Sequence, residues 1–418
     1  MLPTPRAPAY IEGSLMKEHN KTAPGLRLEW KRSIAEVDRQ AWDALAEPMY
    51  SPALEWEWLH RLEASGSVCP QTGWLPLHLT AWSGPVLVAA APLYIKGHSE
   101  GEFVWDYGWA EAAQSMGIRY YPKLVGVSPA TPVSGYRFLI APGEDEQRLT
   151  GLMLEAIDQL CRSNNVSGVS FLYADPAWQQ GLEALGFQVW RHQSFAWSNQ
   201  GFHTFDDYLA GFDKNQRRNI RRERQAVAEA GVRLQAFTGE AITRPLLQSM
   251  AVFYERTNDQ FGPWAARYLT PEFFPGLYED YRHRLLLMAA FRDGDPQPLG
   301  MSFLLVKGPR MYGRYWGSRE RIDCLHFQAC YYAPIEWAIA HGTQSFDPGI
   351  GSPHKLRRGF RAVANHSLHR FYDSRLAKLM ARHIGEINRQ EQENIDAMNA
   401  AVPFAERRPQ RQTSSQGG

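Results

Sequence analysis

The sequence says the same thing twice. Around Gly186 it reads SFLYADPAWQQGLEALGFQVWRHQSFAW, and around Gly359 it reads SFDPGIGSPHKLRRGFRAVANHSLHRFY. Each passage has an apolar strand, an acid, a Pro-started short helix, Gly-Phe and an extended stretch. The Gly-Phe pairs at Gly186-Phe187 and Gly359-Phe360 lie 173 positions apart, and so do Ser194 and Ser367. Two landmarks with one offset point to a duplicated domain, a signal that decides a fold before any local reading does. A chain of 418 residues is too long for one ordinary core and suits two domains with tails.

Composition narrows the function classes. A net charge of +1 provides no global field to draw in nucleic acid or a membrane surface, so any such attraction must be local. The four cysteines, Cys69, Cys161, Cys324 and Cys330, are sparse and irregular, which fits reduced thiols and not a disulfide framework. The first residues lack the apolar stretch of a signal peptide, and no apolar run reaches the length of a membrane span. The expected location is therefore cytoplasmic. Residues 1–26 and the stretch PFAERRPQRQTSSQGG at the other end read as loosely ordered tails.

Between the tails the local signals alternate. WLPLHLTAW and PVLVAAAPLYI read as strands around a Ser83-Gly84-Pro85 turn. Leu149, Leu152, Met153, Ala156, Ile157 and Leu160 define one apolar helix face, and VSGVSFLYA a buried strand. Asp175 and Pro176 open a short helix, and Gly186 suits the left-handed position that closes it. In the second half a basic helix precedes a hairpin at Asp293-Gly294-Asp295-Pro296. MYGRYWG extends the hairpin, and HFQACYYAPIEWAIAHG reads as a helix kinked at Pro334. Ser352 and Pro353 repeat the helix start of Asp175 and Pro176, and Gly359 repeats its end. Each half thus runs hairpin, helix, strand, short helix, Gly-Phe, strand.

That order resembles the GNAT acyltransferase fold, and two such domains in one chain resemble the Fem family of aminoacyl transferases. The strings GWLPLHL, PLYIKGHSEGEFVWD, YYPKL, NQRRNIRRER, MYGRYWG, LHFQACYY and HKLRRGF resemble the FemAB-like group associated with peptidoglycan biosynthesis or recognition. The resemblance implies a mixed α/β chain: a first GNAT-like domain over 27–200, a second over 201–385, and a helix end and tail over 386–418. Each domain would hold a mixed, largely antiparallel sheet flanked by helices. The activity implied is transfer of an acyl or aminoacyl group from an activated donor to an amine. The FDPGIGSPHK stretch departs from the Glu-Pro-Gly-Ala-Gln-Gly-Glu-His-Lys-like pattern of the group: Asp347 replaces one acid and Pro353 the other.

Four segments could carry chemistry. Lys214, Arg217, Arg218, Arg221 and Arg222 share much of one helix face with little acid to offset them. They read as a phosphate-binding surface or as a solvated face. In KGHSEGEFVWD, Lys96 and His98 could touch substrate, and Glu102 and Asp106 could take a proton from an attacking ammonium. The other reading of that stretch is a polar loop. Arg314, between aromatics, could clamp a carboxylate or phosphate, or pair with a distant Asp. Tyr315, Trp316 and His326 follow it. Asp347, His354 and Lys355 could line a cleft in the second domain, with Tyr121 and Lys123 reaching in from the first. The catalytic set is then Glu102, Asp106, Arg314, Asp347 and His354. The substrate-binding set is Lys96, His98, Tyr121, Lys123, Tyr315, Trp316, His326 and Lys355.

No metal spacing, P-loop or nucleophile elbow is present in the sequence. Neither half shows the Arg/Gln-x-x-Gly-x-Gly/Ala loop with which CoA-dependent GNAT enzymes wrap a pyrophosphate. The expectation is therefore no permanently bound cofactor. The favoured donor is an aminoacyl-tRNA, with acyl-CoA as the alternative, and the acceptor is an amine-bearing small molecule or peptide precursor. A binding protein that has kept the fold and lost catalysis is the reading from a different class.

Overall fold

Alternating apolar runs build two sheets in a computed structural model that describes residues 22–23, 25–262, 265–351 and 353–404. Both expected tails fall largely outside those residues, as does Ser352. The first half contributes β1 (Thr22–Ala23), β2 (Leu26–Lys31), β3 (Trp74–Pro76), β4 (His78–Ser83), β5 (Val86–Ala91), β6 (Leu93–Lys96), β7 (Lys123–Gly126) and β8 (Leu139–Ile140). Helix α1 (Glu146–Ser163), β9 (Gly168–Phe171), α2 (Pro176–Ala184) and β10 (Gln188–Ser198) follow, and shorter helices at Arg39–Ala46, Trp56–Ala64 and Tyr107–Ser115 lie between the earlier strands. The second half contributes α3 (Lys214–Glu229), β11 (Val232–Thr238), β12 (Leu285–Arg292), β13 (Pro298–Lys307) and β14 (Arg310–Ser318). Then come α4 (Leu325–Phe327), α5 (Ala333–Ala340), β15 (Ser345–Asp347), a 3₁₀ helix (Pro353–Arg358), β16 (Arg361–Phe371) and α6 (Ser374–Ala400).

The duplication is visible in the pairing. In each half a large-sheet strand ahead of the crossover helix runs parallel to the strand after it: β7 beside β9, with β8 of the small sheet intervening in sequence, and β14 beside β15. Asp175 caps α2 by accepting from the Ala177 and Trp178 amides. Gly186 and Gly359 take φ of +89° and +77°, the left-handed closure that both repeats need.

The two halves are not laid side by side as separate sheets. The larger sheet has eleven strands in the order β11-β12-β13-β14-β15-β10-β16-β9-β7-β6-β3. The last strand of the first half, β10, lies beside β15 of the second. The last strand of the second, β16, lies beside β9 of the first. The repeats have exchanged their final strands, and β10 and β16 pair antiparallel from Gln188↔His369 to Ala196↔Arg361. The smaller sheet has the order β1-β2-β4-β5-β8. Pro92 makes the switch between sheets: without an amide hydrogen it ends β5, and the chain re-enters the large sheet as β6. The cores follow the exchange. Trp58 of the first half packs on Phe273 of the second with ring centroids 5.0 Å apart.

The helix expected to kink at Pro334 runs instead as α4, a π-turn over Gln328–Tyr332, and α5. The extra residue in that turn puts Pro334 in the first turn of α5, where its missing N–H costs little. Among the described residues, no helix is long and apolar enough to cross a membrane.

Candidate active site

The cleft forms where β14 and β15 part. Their parallel register stops at Tyr312↔Asp347, while β14 runs on to Ser318. On its other side β14 has two residues against one: Phe303 faces Tyr315 and Leu304 faces Gly313, so Arg314 is the extra residue of a bulge. A bulge frees backbone groups from the ladder and re-aims the strand, which is why bulges gather beside functional sites. The cavity at the opening has a volume of about 140 Å³ and is lined by Gly313, Arg314, Tyr315, Trp316, His326 and Tyr331, among others. Opposite stands Gly349 at φ +78°, where a Cβ would meet the Gly313 carbonyl oxygen at 2.9 Å. Gly349, a position at which FDPGIGSPHK keeps the glycine of the group's pattern, therefore lets the two lips of the cleft approach.

The structure brings Arg314, Asp347, His354, Lys355, Tyr315, Trp316 and His326 to this cleft, but not all in the expected roles. Arg314 is not a free clamp. Its Nη2 donates to Asp347 Oδ2 at 2.9 Å, its Nη1 to the Gly313 carbonyl at 2.6 Å, and its side chain is 1% exposed. The pair holds the lips of the cleft together, because Asp347 also accepts from the Gly349 amide at 2.8 Å. Lys355 is buried, with Nζ donating to the Gly349 carbonyl at 2.6 Å. Burial, and then Arg314 against the pull of Asp347, leaves its ammonium titrating at about 8. His354 Nε2 lies 3.1 Å from the Tyr331 hydroxyl. Burial and the cations Arg358 and Lys355 hold the His354 imidazole below its usual range. Burial likewise drives His326 down to about 4, so it stands neutral in the cavity wall between Trp316 and Tyr331.

Helix α3 flanks this site. Lys214, Arg218, Arg221 and Arg222 are exposed and Arg217 is half-buried. Glu223, the acid inside the run, turns inward: it accepts from Arg358 Nη2 at 2.9 and 3.0 Å and from the Tyr332 hydroxyl. It therefore offsets Arg358, not its helix neighbours. Arg221 has Asp206 at 3.6 Å, an exposed pair of small worth. Gln216 Nε2 donates to the Arg357 carbonyl at 2.7 Å, tying α3 to the 3₁₀ helix that carries His354 and Lys355.

The first-half group is placed differently from both expectations. Lys96, Glu102, Asp106 and Lys123 do not form a surface loop; all are buried. Lys123 does not lie outside the core strands, since it opens β7. Its Nζ donates to Ser99 Oγ and Glu102 Oε2, each at 2.8 Å, and to Asp106 Oδ2. Burial works against the Asp106 carboxylate, but Lys123 outweighs it and holds the group below its usual range. Burial wins at Glu102 and raises it to about 7. Lys96 Nζ sits 3.5 Å from the Trp74 ring centroid, and burial lowers it to about 7. Burial and Lys96 take His98 to about 4. The Tyr121 hydroxyl bonds Ser99 Oγ at 2.8 Å and is pushed up to about 12, chiefly by burial.

What joins this group to the cleft is a knot that the sequence does not announce. Phe103, Ala130 and Tyr173 hold φ of +57°, +53° and +55°, strained values for residues with side chains. They are linked: the Tyr173 hydroxyl donates to the Phe103 carbonyl at 2.9 Å, and Ala130 N to Gly101 O at 3.1 Å. The Tyr315 hydroxyl of the cleft donates to the Ala130 carbonyl at 3.2 Å. The Tyr173 hydroxyl, raised by burial, feels Arg314 and Asp347 as well as Glu102. The first half thus supports the second-half cleft from behind, through Tyr315, while the residues that line the cavity all come from the second half.

Among curated proteins the sequence has no match. Among solved structures it resembles FemX, with a TM-score of 0.51 at 12% identity over 84% of this chain and 99% of that one. It also resembles L-PGS from Bacillus licheniformis (TM-score 0.49, 10% identity, 84% and 97% covered). A tandem GNAT protein from the clavulanic acid biosynthesis pathway gives a TM-score of 0.40 at 13% identity, with 82% and 98% covered. At such identities the likeness to FemX is one of fold, and it agrees with two GNAT-like repeats of mixed sheet flanked by helices. The FemAB-like model, described as peptidoglycan biosynthesis/recognition, matches residues 33–406, and the chain belongs to that family.

Proposed function

We propose that the chain moves an acyl group from an activated, phosphate-bearing donor to an amine, in the cleft between β14 and β15. Family and fold support acyl transfer in general. The observation that carries the specific reading is the opened edge of β14 beyond the Tyr312↔Asp347 pair, with the bulge at Arg314 on one lip and Lys355 on the other. An acyl carbonyl laid along that edge would find backbone donors and a cation where negative charge develops. The free amine attacks the carbonyl carbon, the C–N bond forms, and the donor ester bond breaks. The proton lost by nitrogen passes to the departing oxygen through the neutral His354 imidazole and the Tyr331 hydroxyl. The Arg314–Asp347 pair fixes the lips, and its contribution is positional. The small cavity fits a small acyl or aminoacyl group.

Exposed Lys214, Arg218, Arg221 and Arg222, with Arg217, would meet donor phosphates. An aminoacyl-tRNA remains the first donor to test. The segment from Ser318 to α4 has no glycine and enters the helix through Cys324 at φ +62°, unlike a pyrophosphate-wrapping loop. A screen of aminoacyl-tRNAs and acyl-CoAs against a panel of amines decides the matter. Transfer lost on Lys355→Ala supports the cleft; transfer that survives it unchanged refutes this site. Absence of any transfer, with ligand still bound, would favour a recognition role.

A further inference from the structure

The edges of the two sheets are protected unequally. An open strand edge offers unpaired amides and carbonyls to any other chain, and proteins blunt such edges with short strands, Pro, Lys or bulges. The small sheet ends in β1 and β8, of 2 residues each. The large sheet ends at one side in β3, of 3 residues, the last of them Pro76. At its other side it ends in β11, VRLQAFT, a strand of 7 residues with no Pro, no Lys and no glycine. β11 pairs with β12 in unbroken register from Val232↔Arg292 to Thr238↔Leu286, so no bulge turns it away.

The ladder fixes which groups face outward. The Asp293 amide donates to the Gly231 carbonyl at 3.1 Å, one pair ahead of Val232↔Arg292. Bonded and open positions alternate in an antiparallel pair. The odd-numbered residues of β11 therefore bond β12, and the backbone groups of Val232, Leu234, Ala236 and Thr238 point off the edge. Side chains alternate too. Arg233, Gln235 and Phe237 share one face, where they line an open groove of about 410 Å³ with Leu246 and Phe291. Arg233, Gln235 and Ala236 are exposed. Arg233 Nε lies 3.8 Å from Asp293 Oδ1, an exposed pair of small worth that leaves the guanidinium able to turn.

We propose that β11 is a pairing edge for a second copy of this chain, with the two strands antiparallel about a two-fold axis at Gln235. That register sets Leu234 opposite Ala236 and Val232 opposite Thr238, so outward amides meet outward carbonyls along the whole strand. Arg233 then lies opposite the partner's Phe237, and the symmetry repeats this cation-on-ring contact on the other side of the axis. The strand carries one cation and no acid, so this pairing sets no like charge opposite another. A slip of two residues in either direction takes Arg233 away from Phe237 and leaves strand ends unpaired. The surface is thus self-complementary, as a two-fold interface requires. It is independent of the chemistry in the cleft.

The test is sedimentation equilibrium of the full chain over a micromolar series. Wild type should sediment as a dimer. Ala236→Pro removes an outward amide without touching the β12 ladder, so it should give a monomer with the wild-type circular dichroism. Because Gln235 faces itself, Gln235→Lys and Gln235→Glu should each raise the dimer dissociation constant about fivefold, and a mixture of the two should form a dimer at least as tight as wild type. Should Ala236→Pro fail to fold, the Gln235 variants decide by themselves. A monomeric wild type overturns the proposal and leaves the edge to an extended segment of another protein. A dimer that survives Ala236→Pro in a folded chain, or Gln235 variants that show no rescue on mixing, overturns it as well, since another surface or register then holds the copies.

Discussion

Burial decides how the ionisable residues behave. Lys355 titrates at about 8, well below the usual range, first because it is desolvated. If its cation stabilises the developing oxyanion, transfer should be full below that pH and fall as pH rises through about 8. Lys355→Arg should move the fall to higher pH, and an unchanged pH–rate profile would refute the role. The same shift has a stability consequence. The unfolded chain holds the Lys355 proton more tightly than the folded chain does, so this residue's contribution is present above the unfolded pKa and lost as pH falls through about 8. Urea unfolding of wild type and Lys355→Met should therefore converge or cross as pH is lowered from about 10 to 7. Lys123 is the opposite case. It is buried, and Asp106 and Glu102 hold its ammonium above the usual range despite that burial. Removing one partner of a buried charged cluster typically costs about 3–5 kcal/mol. Lys123→Met should lose that much in urea unfolding at neutral pH; a loss below about 1 kcal/mol would mean that the two carboxylates are already neutral.

At the scale of elements, the two repeats test each other. Gly186 and Gly359 do the same backbone work, but their surroundings differ. A Cβ at Gly186 would meet nothing within 4 Å, whereas at Gly359 it would lie 2.9 Å from Phe212 and 3.0 Å from Tyr208. Gly186→Ala should cost the left-handed strain alone, about 1–2 kcal/mol. Gly359→Ala should add an overpacking cost of about 1–3 kcal/mol. Equal losses in urea midpoint at unchanged m would show that the aromatic neighbours give way. The asymmetry matters because Gly359 itself lines a cavity of about 500 Å³ with Trp197, Tyr208 and Phe404, whereas the cavity at α2 is lined by Trp178, Gly181, Leu182 and Ala184 and not by Gly186. The π-turn before Pro334 is the other local feature with a functional address: it carries Cys330 and Tyr331 into the wall of the cleft, and the Ala329 carbonyl accepts from Ser302 Oγ at 2.7 Å.

For the whole molecule, exchange of β10 and β16 predicts a single cooperative unfolding transition, because neither half can keep its sheet without a strand from the other. Calorimetry should give one peak with equal calorimetric and van't Hoff enthalpies, and a fragment covering 27–200 should not fold alone. Two resolved transitions would contradict a shared sheet. Much of this architecture was legible in the chain. The offset of 173 positions, the Asp175-Pro176 helix start and the Gly-Phe closures all follow from local backbone chemistry, which travels with short stretches of sequence. The basic face of α3 was legible for the same reason, since helical periodicity alone puts those cations together. A distant Asp as partner of Arg314 was one of the two sequence readings and is what the structure holds, but its identity as Asp347 was not legible, because a partner 33 positions away is set by which strands lie parallel. Nor was the inward turn of Glu223 to Arg358, 135 positions on, nor the burial of Lys96, Glu102, Asp106 and Lys123, which in sequence look like a solvated loop. The strained trio Phe103, Ala130 and Tyr173 belongs to the same class. By itself the sequence determined the repeat, its elements and the chemistry on offer. Only the tertiary structure decided which charges are spent on each other and which face a cleft, because charge pairing depends on long-range strand order and on burial, and neither is encoded in local spacing.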